Sequence, residues 1–78
     1  MTKGEYRVGI NFNPSADDKV AQIKRAAADL IDLIEELSDG TAGEHAMEVR
    51  RLKALAQTHI EDAAMWAVKA ATKPAINN

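Results

Sequence analysis

Val20, Ile23, Ala27, Leu30, Ile31, Ile34 and Leu37 return at three- and four-residue steps. After one interruption, at "SDGTAG", the apolar positions resume with Met47, Leu52, Leu55, Ala56, Ile60, Ala63, Trp66, Ala67 and Ala70. That spacing puts each set on one stripe of an α-helix. Two stripes joined by a short break predict an all-α fold: a helical hairpin of two long antiparallel helices, about 16–38 and 42–72, in a single domain spanning 1–78. Ser15 offers an N-cap, with Asp17 and Asp18 placed to meet the positive end of the helix dipole. Gly40 suits a C′ position, Thr41 and Glu44 have capping-box spacing, and Pro74 stops the second helix.

Residues 1–13 read differently. Tyr6, Val8, Ile10 and Phe12 alternate along a stretch that also holds two glycines, which predicts an extended N-terminal arm with one apolar face. The second helix is longer than the first and must overhang it, leaving either the Trp66 or the Met47 end uncovered according to register.

The chain has 78 residues and no cysteine. A domain of this size buries only about 60% of the surface its unfolded chain exposes. With neither disulfides nor thiolate metal sites to staple it, association between copies is the remaining stabiliser. The formal net charge of -2 speaks against DNA or RNA as the main partner, because such binding neutralises many phosphates with a basic face. A small anionic ligand needs only a few local cations. No apolar run approaches the roughly 18 residues that span a bilayer, and "MTKGEYRVGINF" lacks a signal-peptide apolar core, so the expectation is a chain with no membrane partner, working in the cytoplasm.

Catalytic signatures are missing. The sequence holds no phosphate-binding glycine loop, no HExxH and no nucleophile elbow, and no catalytic residue is assigned. Asp29, Asp32, Glu35 and Glu36 fall mostly opposite the apolar stripe, as a solvated face does. His45 and His59 share a face but stand about 21 Å apart along a helix, too far to hold one metal, and neither a metal nor a cofactor is expected. Met65 and Trp66 lie among small residues that admit a neighbouring helix, so they read either as hairpin core or as packing between protomers. Lys24 and Arg25 are either solvated cations or, with the nearby Phe12, the cationic half of a site that stacks a base and meets a phosphate.

The stretches "INFNPS", "IKRAAADLIDLI" and "AQTHIEDAAMWAVKAATK" resemble the small phage proteins that act as cyclic-oligonucleotide sponges against CBASS, relatives of the sponges that disarm Thoeris. The "MWA" helix with its acidic lead-in is the most specific part. The resemblance implies a hairpin assembled as a homo-oligomer, typically a hexamer. It would hold cyclic dinucleotides such as 3′,3′-cGAMP between protomers without cleaving them, and cyclic trinucleotides in separate pockets on threefold axes. It also implies action in the cytoplasm of an infected bacterial host.

By the same resemblance Phe12 stands at the family's base-stacking tyrosine, Asn13 at a histidine, Lys24 at the cation that opens the first helix, and Lys73 at a late arginine suited to the trinucleotide pocket. Arg25 and Thr58 enter the ligand-binding set by neighbourhood, and Trp66 and Met65 the oligomer packing. Phe12 keeps a stacking face without the phenolic hydroxyl, and Lys73 lacks the guanidinium fork. The connection between Leu37 and Thr58 is longer than the family pattern. The alternative reading is a helical-hairpin interaction module that docks on a partner protein and takes no nucleotide.

Overall fold

A computed structural model of the chain describes residues 1–76 and contains three α-helices, α1 Lys3–Val8, α2 Asp18–Glu35 and α3 Gly43–Ala71. α2 and α3 form the antiparallel hairpin. Its register is pinned by Gln57, which is 2% exposed. Gln57 Nε2 donates to the Ile31 carbonyl at 3.1 Å and to Glu35 Oε1 at 3.0 Å, and its own amide oxygen accepts from Lys3 Nζ at 3.1 Å. A buried amide satisfied on both sides fixes which turn of α3 faces which turn of α2.

That register decides the overhang. With Ile31 level with Gln57, equal steps along both helices bring Asp18 level with about residue 70, so Trp66 runs beside the first turns of α2. The uncovered length is at the Met47 end, where the connection folds back against α3. Arg50 Nε and Lys53 Nζ both donate to the Asp39 carboxylate, at 3.1 and 2.8 Å.

The core is thin. Val20, Ala28, Ile31, Ala46 and Ala64 are buried, while Leu33, Leu37, Met47, Leu52, Met65 and Trp66 are each at least half exposed. The molecule measures 58 × 26 × 13 Å with a radius of gyration of 15.5 Å. A compact domain of this length would have about 12 Å. The hairpin is a slab one helix thick, and a slab leaves the outer side of each apolar stripe bare.

Residues 1–13 are not an extended arm. Lys3–Val8 form α1, and the reason lies in the caps rather than in the apolar alternation. Thr2 Oγ1 accepts from the Glu5 amide at 3.1 Å and Glu5 Oε1 accepts from the Thr2 amide at 2.8 Å, a reciprocal capping box. Gly9 closes the helix at φ 64°, a left-handed position that glycine takes without strain. Tertiary contact supplies what six residues cannot supply alone. Gly4 packs so closely on α2 that an added Cβ would overlap the Ala28 carbonyl, and its amide donates to Asp32 Oδ1 at 2.7 Å. Asp32 and Glu35 thus dock α1 rather than forming an idle solvated face, since Glu35 also accepts from Lys3 Nζ at 2.9 Å.

The hairpin helices are shorter at all four ends than their periodicity predicts, α3 by one residue at each. Ala16 takes φ 53°, which breaks the chain before α2, and the N-cap is Asp17, not Ser15, with Oδ1 accepting from the Lys19 amide at 2.7 Å. α2 stops at Glu35 because Lys53 Nζ intercepts the carbonyls of Glu35 and Leu37, at 3.2 and 2.6 Å. An ammonium there meets the unpaired carbonyls and the negative end of the dipole. Thr41 and Glu44 form no capping box, since α3 begins after Ala42, which offers no side-chain cap.

Candidate functional site

The turn that follows α1 is built around one ammonium. Lys24, in the second turn of α2, is 7% exposed, and its Nζ donates to the carbonyls of Gly9, at 3.0 Å, and of Phe12. The same Nζ stands 5.4 Å from the centroid of the Phe12 ring. Phe12 itself is 72% exposed. Lys24 thereby holds the backbone of the 9–12 turn and sets one face of an outward-pointing ring, a cation–π geometry that leaves the other face free.

Phe12 and Lys24 line one cleft of about 460 Å³ with Tyr6, Arg7, Glu61 and Met65. Volumes of this order suit small-molecule ligands. The floor is aliphatic, from Val8 of α1 and Ala64 and Val68 of α3. Arg7 crosses from α1 to α3: its Nε donates to Glu61 Oε1 at 2.7 Å, and Nη2 reaches Thr58 Oγ1 at 3.4 Å. Aromatic faces, two cations and one carboxylate therefore share a groove between α1 and α3. Such a set can stack a planar ring and hydrogen-bond an anion or a polar base edge.

Of the residues singled out in the sequence, the fold brings Phe12, Lys24 and Met65 together here. Met65 is cleft wall rather than hairpin core. Thr58 adjoins the cleft through Arg7. Asn13 is engaged in the loop before α2, its Nδ2 donating to the Asp17 carbonyl at 3.0 Å and its Oδ1 accepting from Ser15 Oγ at 2.9 Å. Arg25 points to a different depression, shared with Ile10 and Asp29, and is paired with Glu5 at 2.8 Å and Asp29 at 2.7 Å. The Arg25 guanidinium, helped by the Thr2 amide, pulls the Glu5 carboxyl from 4.5 down to about 2. Lys73 follows α3, exposed, and is not part of the cleft wall. Trp66 is 61% exposed, with Nε1 donating to Asp62 Oδ1 at 3.2 Å and Lys69 Nζ 5.4 Å from its ring.

Tyr6, Arg7 and Glu61 are walls to which the sequence assigns no site role: Tyr6 stands in the alternation of residues 1–13 and Glu61 in the acidic lead-in to "MWA". Arg7 and Glu61 lie 54 positions apart, and only the docking of α1 unites them. Among the described residues no group of His, Cys, Asp and Glu side chains could hold a metal ion, and no helix is long and apolar enough to cross a membrane.

A family model described as the hairpin domain of Acb2/Tad1 matches residues 4–72. No curated protein and no solved structure matches the chain.

Proposed function

The chain belongs to the Acb2/Tad1 hairpin family, the anti-CBASS and anti-Thoeris sponges of phage, and from that premise we propose that it sequesters cyclic dinucleotides such as 3′,3′-cGAMP without cleaving them. The family acts by binding rather than by catalysis. What carries the finer reading is the pairing of an exposed Phe12 ring with the Lys24 ammonium in one cleft. The ring offers a stacking face worth about 1–3 kcal/mol per base, and Lys24, with two of its three donors given to carbonyls, keeps one for a phosphate oxygen.

A cyclic dinucleotide has two bases and two phosphates about an approximate twofold. Two protomers related by a twofold would offer it two Phe12 rings and two Lys24 ammoniums. The exposed Leu33, Leu37, Leu52, Met65 and Trp66 support self-association, and a hexamer is the assembly we propose. Asn13, Arg25 and Thr58 are proposed as further contacts around the dinucleotide site, Lys73 is the candidate for a separate cyclic trinucleotide pocket, and the host cytoplasm, where such signals arise, is the site of action.

A second reading has its own observation. Ile34, Leu37, Val49, Leu52 and Ala56 line an almost wholly apolar cleft beside the hairpin connection, which favours docking of a protein partner. Calorimetric titration with 3′,3′-cGAMP separates the two. Tight binding, loss in Phe12→Ala and intact nucleotide recovered after denaturation are expected of a sponge. Silence across a panel of cyclic di- and trinucleotides would leave the interaction module.

A further inference from the structure

Lys24 cannot satisfy a ligand phosphate by itself. Its buried ammonium gives two of three N–H groups to the Gly9 and Phe12 carbonyls, so one is left for a phosphodiester that exposes two charged oxygens. A phosphate drawn out of water toward a single donor loses hydration that the cleft does not replace.

The cleft's other cation is better supplied. A guanidinium holds five N–H donors in one plane. Arg7 commits two of them: Nε meets Glu61 Oε1 at 2.7 Å and Nη2 meets Thr58 Oγ1 at 3.4 Å, so α3 takes the Nε–Nη2 edge. Among the described residues Nη1 donates to nothing, and the adjacent Nη1–Nη2 edge keeps two parallel N–H groups, the fork that grips a phosphate bidentately. The Arg7 side chain stands in the cleft wall and is 22% exposed, where Lys24 is covered.

Glu61 then has a reason to be in the same wall. A lone carboxylate there would repel a phosphate, and a partly exposed ion pair adds little to stability. Bonded to Nε, it offsets its own charge against Arg7 and fixes the guanidinium plane, which removes rotamer freedom that binding would otherwise have to freeze.

Resting on the sequestration reading above, we propose that Arg7 is the principal phosphate-binding cation of the cleft, gripping the phosphodiester through its Nη1–Nη2 edge, and that Glu61 is the positioning residue that holds that edge ready. Lys24 orders the Phe12 turn and adds one hydrogen bond.

The test is calorimetric titration of the full chain with 3′,3′-cGAMP at low and high salt, for the wild type, Arg7→Ala, Arg7→Lys and Glu61→Gln. Amide hydrogen exchange over Lys3–Val8 reports whether α1 stays seated in each. Arg7→Ala should weaken binding by roughly ten- to a hundredfold, the scale of a lost hydrogen bond to a charged group. Its affinity should also fall less with added salt than that of the wild type, because one screened attraction is gone. Arg7→Lys keeps the charge without the fork and should recover only part of the loss; where Arg7→Ala loses protection over α1, this variant decides. Glu61→Gln keeps an oxygen for Nε but drops the charge, and should weaken binding by roughly three- to tenfold with α1 protection unchanged. Wild-type affinity in Arg7→Lys or Arg7→Ala would overturn the fork, and unchanged or tighter binding in Glu61→Gln would overturn the positioning role. Each of these outcomes leaves sequestration standing, whereas a wild type silent to 3′,3′-cGAMP would remove both readings together.

Discussion

Lys24 Nζ donates to the carbonyl of Phe12 and lies 5.4 Å from the centroid of the same residue's ring, so one side chain from α2 orders both the backbone and the exposed face of Phe12. A cation that only met ligand would be dispensable to the free protein. This one is 7% exposed and satisfies two carbonyls of a turn that has no other tie to α2 from its own backbone.

Removing it should therefore harm the fold as well as any site. Lys24→Ala is expected to cost about 2 kcal/mol, the scale of a lost charge-assisted hydrogen bond with its acceptors left under-satisfied. Denaturant unfolding gives the energy, and hydrogen exchange gives the location: the Phe12 amide, bonded to the Gly9 carbonyl at 2.9 Å, should lose protection. Unchanged stability and protection would mean that the ammonium does not hold the turn.

Gly4→Ala sets two effects against each other. Helix propensity favours alanine by about 1 kcal/mol. Against that, the new Cβ would overlap the Ala28 carbonyl, a backbone atom that cannot swing aside, and would press on Asp32 Oδ1. Overpacking of this kind costs about 1–3 kcal/mol, so the steric term should win. A lower denaturation midpoint and displaced amide resonances over Lys3–Val8 are expected, and a stabilised variant would show that α1 is not seated on α2 as described.

These contacts also show what could be read from the residues beforehand. The hairpin was legible because two apolar stripes of helical period flank one break, and Val20 and Ile31 of the first stripe are buried. The face of α3 was not, since α3 buries Ala46, Gln57 and Ala64 while Met47, Leu52, Ala63, Trp66 and Ala70 of its stripe are exposed. α1 was hidden by a competing signal: Tyr6, Val8, Ile10 and Phe12 alternate like a strand, yet Tyr6 and Phe12 are more than 70% exposed and bury no common face. The usable signs were local, Thr2 and Glu5 at capping-box spacing and Gly9 as the stop. The candidate site was half legible, because Phe12 and Lys24 are close in sequence, whereas Arg7 and Glu61 meet only once Gly4 has seated α1 on α2.

Acid should reach the α1 contacts late. The Arg25 side chain holds the Glu5 carboxyl at about 2 rather than 4.5. A lowered folded-state value means that this stabilisation is complete above the ordinary carboxylate range and fades as pH falls from about 4.5 toward 2. Carboxyl carbon NMR should place the Glu5 midpoint near the lower figure, with amides of Lys3–Val8 unmoved at pH 5. A midpoint near 4.5 would mean that Arg25 does not engage Glu5 in solution.

Trp66 tests the assembly. Its ring is 61% exposed along with Met65, and its contacts within the chain are polar and local: the indole N–H to Asp62 and the Lys69 ammonium over the ring. Neither contact ties α3 to α2, so the intrachain role of Trp66 is small, and an exposed indole flanked by Ala63, Ala67 and Ala70 is suited to receive a second helix. Trp66→Ala should accordingly leave the circular dichroism of the hairpin near that of the wild type while lowering the mass found by light scattering. Because self-association stabilises by mass action, it should also remove the concentration dependence of thermal unfolding. A full-sized assembly in Trp66→Ala would assign the oligomer contacts elsewhere, with Leu33, Leu37 and Leu52 the next exposed group to substitute.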